Sequence, residues 1–357
     1  MTKSNFAQKV VEWYNDHRRS LPWRETRNPY KIWLSEIILQ QTRVAQGLPY
    51  YEKMVKHFPD VFALARAREH EVLRLWQGLG YYTRARNLHR CAKILVNHHA
   101  GQFPNNYKDL LKLPGIGAYT AAAIASISFG EPVAVVDGNV YRVLARIFGI
   151  EKETTTQVGK DYFARKANEL IPRDHPDRFN QAIMEFGATH CLPRNPKCED
   201  CIFKKQCVAY ANDLQDLLPV KNKKLKIRTR YFYYFVIEQN KKWLMQRRAG
   251  KDIWQGLYDF YLVETEKQQK PESVSKEDPV LKLLGGKIEW KNISIQYRQV
   301  LTHQKLFARF IPVSIAPSRA SRAVFKSKKM KLYSSKEMNK LPKPILVARY
   351  LLESAFL

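Results

Sequence analysis

The chain has 357 residues, of which 45% are hydrophobic, so it is long enough for two or three domains with substantial cores. Lysine and arginine total 61 against 33 acidic residues, and the net charge of +28 favours a polyanionic partner. No apolar run is long enough to span a bilayer, and the first residues lack the apolar core of a signal peptide. We therefore expect a cytosolic protein, or a nuclear one in a cell with a nucleus. A basic protein with no polyanionic partner is the alternative.

Helical patterns begin near the N-terminus. Residues 5–19 predict an amphipathic helix, which ends before Leu21-Pro22-Trp23-Arg24. Asn28-Pro29 predicts the next helix start, and the helix from Tyr30 to Thr42 is apolar on most of its surface. Glu36 lies in its middle, where burial should raise the pKa of the carboxyl and allow it to act as a general acid. A position at the one solvated edge of this helix is an equally open interpretation.

A turn between glycines follows two more predicted helices, at 49–58 and 69–76. It reads Gly78-Leu79-Gly80-Tyr81-Tyr82-Thr83-Arg84. Aromatic residues interleaved with arginines suit a wedge that enters the base stack of a nucleic acid. Taken alone, the turn favours the simpler interpretation, in which the tyrosines belong to the core and the arginines form a solvated face.

Two motifs stand close together between Leu113 and Arg146. Leu113-Pro114-Gly115-Ile116-Gly117 separates helices predicted at 107–112 and 118–128, and glycine takes the left-handed dihedrals of a tight hairpin at no steric cost. Such a turn exposes backbone N–H groups at a helix start, where a phosphate binds. Asp137 precedes a helical pattern and is the predicted N-cap, whose carboxylate should stay ionised at neutral pH. A predicted phosphate-binding turn close in sequence to the ionised Asp137 suggests chemistry on a nucleic acid.

Four of the five cysteines lie in one loop, with the spacing C-x6-C-x2-C-x5-C, after helices predicted at 157–171 and 176–190. They are Cys191, Cys198, Cys201 and Cys207. In a reducing compartment this pattern predicts a metal site and not a disulfide framework. Four thiolates suit zinc or an iron–sulfur cubane, and three ligands within ten residues favour the cluster without excluding zinc.

The pattern changes after Asn212. Residues 213–229, with a basic run that extends from Lys221 to Arg230, predict a linker. Strands are then predicted at 231–238, 243–246, 258–263, 293–300 and 306–314, and a helix at 345–356. We therefore divide the chain into an all-α domain over 1–212, the linker over 213–229 and a smaller α+β domain over 230–357.

Together these residues resemble the helix-hairpin-helix DNA glycosylases, and within that superfamily the adenine DNA glycosylases of the MutY type. The resemblance covers nearly the whole chain. It depends on several motifs in order: WLSEIILQQT, GLGYYTRARNLH, LPGIGAYTA, VDGNVYRV, the four-cysteine loop and QRRAGKDIWQGLYDF. It implies a base-excision-repair enzyme with a multidomain fold, in which an all-α glycosylase domain precedes a Nudix-like domain.

The resemblance implies that Glu36 protonates the adenine base and later handles water, and that Asp137 stabilises the sugar oxocarbenium ion or its covalent adduct. This chemistry requires the pKa values of the two carboxyls to shift in opposite directions. Tyr119 and Asn139 complete the candidate catalytic set. In related glycosylases with lyase activity, a lysine lies two residues after the second glycine of the hairpin. Here that residue is Tyr119, which predicts a monofunctional glycosylase.

The resemblance also implies contacts with double-stranded DNA. Gln41 and Tyr81 match residues that enter the base stack, and Gly115 and Gly117 match the phosphate-binding hairpin. Further candidate DNA contacts are Arg24, Arg84, Thr302 and His303. The four cysteines match the ligands of a [4Fe–4S] cluster.

The C-terminal domain resembles the Nudix fold, but no glutamate cluster follows Gly256, so we do not expect hydrolase activity from it. The related domain reads 8-oxoguanine opposite adenine, usually with a Phe-Ser-His turn. Here the corresponding turn is Leu301-Thr302-His303, which lacks the aromatic residue. The expected substrate is DNA with adenine opposite 8-oxoguanine or guanine, bound by a monomer.

Three other functions are compatible with parts of this sequence. The first is an endonuclease-III-like glycosylase and lyase on damaged pyrimidines, against which Tyr119 argues. The second is a catalytically inactive DNA-binding protein, against which the Glu36–Asp137 pair argues. The third is a nucleotide-pool hydrolase, against which the missing acidic cluster argues.

Overall fold

The computed structural model describes residues 2–221, 227–250, 252–284 and 289–354, and the chain forms two compact units. The first unit comprises Met1–Arg66 and Asn87–Lys224, and the second comprises Ala67–Arg86 and Leu225–Leu357. Residues 67–86, which the sequence division places in the all-α domain, therefore pack within the second unit. The basic run predicted from Lys221 to Arg230 lies partly outside the described residues.

Helices account for the regular structure of the described residues up to Asn212, apart from short 3-10 turns. In chain order they are α1 (Lys3–His17), α2 (Pro29–Leu39), α3 (Val44–His57), α4 (Val61–Arg66), α5 (Glu69–Leu75), α6 (Tyr82–His99), α7 (Tyr107–Leu110), α8 (Ala118–Phe129), α9 (Gly138–Phe148), α10 (Gln157–Leu170), α11 (Pro176–Thr189) and α12 (Val208–Ala211). Among the described residues, no helix is long and apolar enough to cross a membrane.

The local sequence explains where α2 begins and ends. The Asn28 side chain caps it, because its Oδ1 accepts hydrogen bonds from the backbone N–H of Tyr30 at 2.9 Å and of Lys31 at 3.3 Å. The helix ends at Leu39, three residues earlier than predicted, because Gln41 takes a left-handed backbone with φ of 55°. Helix α4 was not predicted, since its six residues are too short to show a helical period.

Helix α8 forms the centre of the first unit. Its residues from Thr120 to Ile127 are all buried, and the run of small side chains at 121–123 allows close packing against α2 and α11. Helix α2 is buried over most of its length, as its apolar sequence predicted. This packing brings the middle of α2 to the first turn of α8.

A mixed sheet forms the second unit, together with short helices. Its strands are β1 (Arg228–Gln239), β2 (Lys242–Arg247), β3 (Tyr258–Asp259), β4 (Tyr261–Thr265), β5 (Glu289–Trp290), β6 (Tyr297–Leu301), β7 (Gln304–Ser314) and β8 (Lys331–Tyr333). Strand β1 pairs in parallel with β7 and antiparallel with β2 and β4. Strands β5 and β6 pair with β7, and β3 and β8 pair with β2, all antiparallel.

The predicted α+β character of this unit is confirmed, but several strands differ from the prediction. Strand β1 begins at Arg228, inside the predicted linker, and β5 and β8 were not predicted. The strand predicted at 258–263 is divided into β3 and β4, and the one predicted at 293–300 begins only at Tyr297. The remaining helices are α13 (Pro271–Glu277), α14 (Pro279–Leu283), α15 (Arg319–Ser327), α16 (Ser335–Lys340) and α17 (Ile345–Glu353). The last residues of the helix predicted at 345–356 lie outside the described residues.

Both faces of β1 are buried, because successive side chains of a strand point to opposite sides. Tyr233, Phe235 and Ile237 belong to a core with residues of α13, α14 and α15. On the other face, Tyr234 stacks on Phe310 with ring centroids 5.0 Å apart, and Phe310 stacks on Tyr350 of α17 at 4.0 Å. The sheet therefore has a packed layer on each side, and the β6–β7 turn at its end stays exposed.

Candidate active site

A cavity of about 180 Å³ in the first unit brings the two predicted carboxylates together. Glu36 comes from α2, Tyr119 from the first turn of α8, and Asp137 and Asn139 from the start of α9. Three motifs that are far apart in the sequence therefore contribute to one site. No lysine is among the described residues that line this cavity.

Glu36 is buried, as predicted, with 7% of its surface exposed, so the solvated-edge interpretation is excluded. Burial raises the pKa of its carboxyl to about 7, because desolvation disfavours the charged form. A hydrogen bond with Tyr119 and the charge of Arg24 lower this pKa, whereas the charge of Asp137 raises it. Glu36 can therefore carry a proton at neutral pH.

Asp137 caps α9, as predicted. Its carboxylate accepts hydrogen bonds from the backbone N–H of Asn139 at 2.9 Å, the backbone N–H of Val140 at 2.8 Å and the Asn139 Nδ2 at 2.8 Å. Burial nevertheless raises the pKa of Asp137 above its ordinary value, while these hydrogen bonds and the charge of Arg142 lower it. The predicted opposite shifts of the two pKa values are therefore wrong, since the sequence does not reveal how deeply the cap is buried.

The hydroxyl of Tyr119 connects the two sides of the cavity. It donates a hydrogen bond to the Sδ of Met184 at 3.3 Å and also forms a hydrogen bond with Glu36. Burial and the neighbouring carboxylates raise the pKa of Tyr119 well above its ordinary value, so it stays neutral. Because a hydroxyl has a single proton, it donates to only one of these two acceptors at a time, and donation to the Glu36 carboxylate favours the charged form of Glu36.

Glu185 is a site residue that sequence reasoning missed. It is fully buried at the cavity wall, where its carboxylate accepts hydrogen bonds from Arg19 Nη2 at 2.6 Å and Arg24 Nη2 at 2.6 Å. Burial opposes its ionisation, but these hydrogen bonds outweigh burial and lower the pKa of Glu185 to about 2. The signal in the sequence was the same as for Glu36: an acid within the apolar stripe of a helix.

Arg24 was predicted to contact DNA. Its side chain is only 10% exposed and its guanidinium is held by Glu185 at the cavity wall. This position is unlike the exposed one expected of a phosphate contact, and the predicted role in DNA binding stays untested.

Arg142 joins the four-cysteine loop to the start of α9. Its Nε donates to the carbonyl oxygen of Cys191 at 2.7 Å, and its Nη2 donates to the Oδ1 of Asn139 at 2.9 Å. Asn139 in turn holds Asp137. A continuous chain of hydrogen bonds therefore runs from the first cysteine of the loop to the catalytic candidate Asp137.

The four cysteines of the loop influence one another electrostatically. Burial, with a smaller contribution from the other three thiols, raises the pKa of Cys201 to about 12. The Sγ of Cys201 accepts from the backbone N–H of Phe203 at 3.4 Å, and the Sγ of Cys191 accepts from Arg146 Nη1 at 3.5 Å. Such N–H···S contacts suit thiolate ligands. In the part of the chain that the structure describes, no group of three or more His, Cys, Asp or Glu side chains is arranged to hold a metal ion.

Three predicted DNA contacts of the first unit are exposed at turns. Gly115 has a φ of +81°, and an added Cβ would lie 2.7 Å from the Cβ of Asn87, so glycine is required there. Gly117 is not left-handed, contrary to expectation, but is the extended N-cap of α8, with no atom within 4 Å of an added Cβ. This open space leaves room for a phosphate at the helix start. Gln41 is exposed on its left-handed turn.

A second cavity, of about 370 Å³, lies within the second unit. Tyr81, Thr302 and His303 all line it, and the hydroxyls of Tyr81 and Thr302 are hydrogen-bonded to each other. Thr302 and His303 form the two-residue turn between β6 and β7 and are exposed. The glycine-flanked turn and the Leu301-Thr302-His303 turn therefore meet at one site.

The glycine-flanked turn fits neither sequence interpretation completely. Tyr82 is buried, whereas Tyr81 is 45% exposed on a left-handed backbone with φ of 49°. Arg84 is also buried, and its guanidinium carbon lies 5.3 Å from the Trp76 ring centroid and 5.5 Å from that of Tyr81. Arg84 is therefore placed to support Tyr81, and its predicted direct contact with DNA stays untested.

Comparison with protein-family models identifies both units. Residues 34–171 match the HhH-GPD superfamily of base excision DNA repair proteins, and residues 233–353 match the NUDIX domain. The solved structure of a thermostable thymine-DNA glycosylase aligns with a TM-score of 0.55 and 32% identity, over 59% of this chain and 97% of that one.

Comparison with known proteins shows similarity to adenine DNA glycosylases. The adenine DNA glycosylase of Buchnera aphidicola subsp. Baizongia pistaciae is 37% identical over 311 residues, which are 86% of this chain and 85% of that protein. The adenine DNA glycosylase of Mus musculus is 41% identical over 214 residues, which are 57% of this chain and 42% of the mouse protein.

Proposed function

Because the chain belongs to the adenine DNA glycosylase family, we propose that it is a monofunctional glycosylase of base excision repair. It releases adenine paired with 8-oxoguanine or guanine from double-stranded DNA. The observation that carries this proposal is the cavity in which Glu36, Tyr119 and Asp137 meet. We expect the protein to work as a monomer in the cytosol, or in the nucleus of a cell that has one.

The two carboxyls divide the chemistry of the N-glycosidic bond. Adenine leaves readily only when a ring nitrogen is protonated, and Glu36, with a pKa of about 7, can donate that proton. The sugar then develops positive charge, and Asp137 with its three N–H donors supplies a fixed anion for the oxocarbenium ion or its adduct. Glu36, deprotonated after the first step, can activate the water that completes hydrolysis.

The residues of the cavity favour a monofunctional enzyme. A lyase forms a Schiff base between an amine and the sugar, and the residue in the corresponding position is the phenol of Tyr119. The arginines of the cavity wall, Arg19 and Arg24, form ion pairs with Glu185. This argues against the endonuclease-III-like alternative.

To extrude a base, the enzyme must bind the DNA phosphate backbone and insert a side chain into the space that the base leaves in the stack. The open start of α8 at Gly117 supports phosphate binding. Gln41 and Tyr81 are each exposed at the tip of a left-handed turn, which supports their insertion between bases. The cavity beside Thr302 and His303 supports recognition of the opposite base.

We propose that Cys191, Cys198, Cys201 and Cys207 hold a [4Fe–4S] cluster, because four cysteines in one loop can supply the four thiolates that such a cluster needs when it displaces their protons. When bound, such a cluster crosslinks the loop and supplies a redox centre. Purified protein should be yellow-brown and contain about four iron atoms per chain, and replacing Cys198 with serine should lower the iron content. A colourless protein with one zinc ion would contradict this assignment.

The proposed reaction is tested with duplexes that contain adenine opposite 8-oxoguanine, adenine opposite guanine, or thymine glycol. Strand breakage is scored before and after treatment with alkali. We expect breakage on the two adenine duplexes, and only after alkali, because the enzyme leaves an intact abasic strand. Breakage without alkali, or efficient trapping of the protein on DNA by borohydride, would show lyase activity.

A further inference from the structure

A buried arginine of the second unit lies outside every motif that led to the proposed function. Arg230, near the start of β1, has a side chain that is only 5% exposed. Its Nε and Nη2 donate to the two oxygens of Glu264 at 2.7 and 2.6 Å. A buried charge is tolerated only when it is paired, and this bidentate contact with β4 provides one partner.

The same guanidinium also reaches two walls of the 370 Å³ cavity. Nη1 and Nη2 donate to the two oxygens of Asp252 at 3.0 and 2.7 Å. Nη1 also donates to the Oε1 of Gln304 at 3.0 Å. Asp252 begins the wall that continues into Ile253 and Trp254, and Gln304 directly follows His303 in the hairpin turn.

Aromatic contacts strengthen the link to the first of these walls. The guanidinium carbon of Arg230 lies 4.9 Å from the ring centroid of Phe232. Phe232 in turn packs edge-on against Trp254, with centroids 6.1 Å apart. Trp254 keeps a left-handed backbone with φ of 63°, a conformation that needs such support in a large residue.

We propose that Arg230 is a positioning residue for recognition of the base opposite adenine. It fixes the distance between the Asp252–Trp254 wall and the Thr302–His303 turn by holding Asp252 and Gln304 with one rigid group. This inference rests on the proposed function, because it assumes that this cavity discriminates 8-oxoguanine from guanine. Lysine cannot replace Arg230, since a single ammonium group cannot form the paired hydrogen bonds that the planar guanidinium donates.

The test uses the full-length protein and three variants. Arg230→Lys removes the fork, and Gln304→Leu removes only the hydrogen bond between Arg230 and the hairpin. Arg248→Lys is the matched control, because Arg248 also binds the first wall, at Asp252 and the carbonyl oxygen of Ile253, each at 3.2 Å, and binds Asp259 at 2.7 Å. It forms no hydrogen bond with the hairpin among the described residues. Single-turnover base removal at subsaturating protein gives the preference for 8-oxoguanine over guanine, and a thermal melt gives stability.

We expect Arg230→Lys and Gln304→Leu to lower this preference by about two- to tenfold, the effect of one hydrogen bond. Arg248→Lys should lower the melting temperature and change the preference much less than Arg230→Lys, since it loosens one wall without releasing the hairpin. Equal losses on both duplexes in Gln304→Leu, or a comparable loss of preference in Arg248→Lys, would overturn the proposal.

A wild-type protein with no preference for 8-oxoguanine would refute the proposed lesion recognition instead. The positioning of the hairpin turn by Arg230 would then be tested by amide hydrogen exchange over residues 298–306. Faster exchange at the turn in Gln304→Leu than in Arg248→Lys would support the role of Arg230, and equal exchange would overturn it.

Discussion

Glu36 and Asp137 differ in what surrounds them and not in the direction in which burial shifts their pKa. Asp137 receives three N–H hydrogen bonds, whereas Glu36 receives a hydrogen bond from the Tyr119 hydroxyl. We expect Glu36→Gln to lower adenine release at least a hundredfold with DNA affinity nearly unchanged, because the amide keeps the shape and loses the acid. Asp137→Asn should be as damaging, since the developing cation loses its counter-charge. Single-turnover rates and equilibrium binding check both, and activity within a few-fold of wild type would contradict the assignment.

The raised pKa of Glu36 also predicts how stability changes with pH. Folding moves this pKa from 4.5 to about 7, so the folded protein keeps a proton that the unfolded chain releases between these values. The contribution of Glu36 to wild-type stability should therefore fall as the pH rises from about 4.5 to 7. In Glu36→Gln the side chain is neutral throughout this range, so the variant loses no stability at this position. The free energy of unfolding of Glu36→Gln, minus that of the wild type, should therefore rise by about 3 kcal/mol over this pH range. Chemical denaturation of both proteins at several pH values measures it, and a constant difference would show that Glu36 titrates normally.

Tyr119 determines whether the cavity contains an amine. Tyr119→Lys should gain weak strand nicking, because a lysine there could attack the sugar and form a Schiff base. Borohydride trapping and strand breakage without alkali measure this gain. Tyr119→Phe is the matched control: it lacks both the hydroxyl and an amine, so it should show no trapping. Trapping of Tyr119→Phe at the level of the lysine variant would place the amine elsewhere.

At the scale of elements, the sequence predicts best where a signal is local. Helices α8 to α11 and strands β1 and β7 follow from periodicity, caps and β-branched or aromatic runs. The burial of Arg84 and the ion pair of Arg24 could not be predicted, because each depends on a partner that only the fold supplies. Gly117 shows the same limit, since two glycines one residue apart do not reveal which of them is left-handed.

Helix α9 should transmit changes in the cysteine loop to Asp137 through Arg142. Arg142→Lys loses the fork that bonds Cys191 and Asn139, so we expect base removal to slow about tenfold with DNA affinity little changed. Arg146→Lys is the matched control on the same helix, because Arg146 contacts the same loop, at the Sγ of Cys191 and the carbonyls of Leu192 and Pro193, but forms no hydrogen bond with Asn139 among the described residues. It should lower stability without this loss of rate. Equal slowing in both variants, measured in single turnovers, would reduce Arg142 to a structural role.

At the scale of the whole molecule, residues 67–86 are the main departure from the sequence division. Within the second unit, Glu69 pairs with Arg247 at 2.6 Å, and Arg86 Nη1 donates to the carbonyl oxygen of Gln255 at 2.6 Å. The backbone N–H of Lys343 donates to the Oε1 of Gln77 at 3.0 Å. These partners are more than a hundred residues apart, and no local pattern links them. A division by composition therefore could not separate this segment from its helical neighbours.

This packing shapes what removal of residues 219–357 should do. Every residue that lines the Glu36–Asp137 cavity lies in the first unit, so the truncated chain should still remove adenine from a saturated duplex with guanine opposite. The segment 67–86 loses its partners, so the melting temperature should fall and Tyr81 should be less well held. Loss of the Thr302–His303 turn should cost most on adenine opposite 8-oxoguanine, by roughly ten- to a hundredfold if one or two polar contacts to the lesion are removed.

His303→Ala in the full-length protein separates recognition from packing, because it leaves the partners of residues 67–86 in place. 8-Oxoguanine differs from guanine by a carbonyl at C8 and a proton at N7, and an exposed polar turn can distinguish these groups by hydrogen bonds. The variant should therefore lose part of the preference for 8-oxoguanine and keep both the wild-type melting temperature and the single-turnover rate opposite guanine. If truncation costs the same on both duplexes and His303→Ala changes neither, residues 219–357 contribute affinity or stability alone, and lesion recognition belongs to residues 1–218.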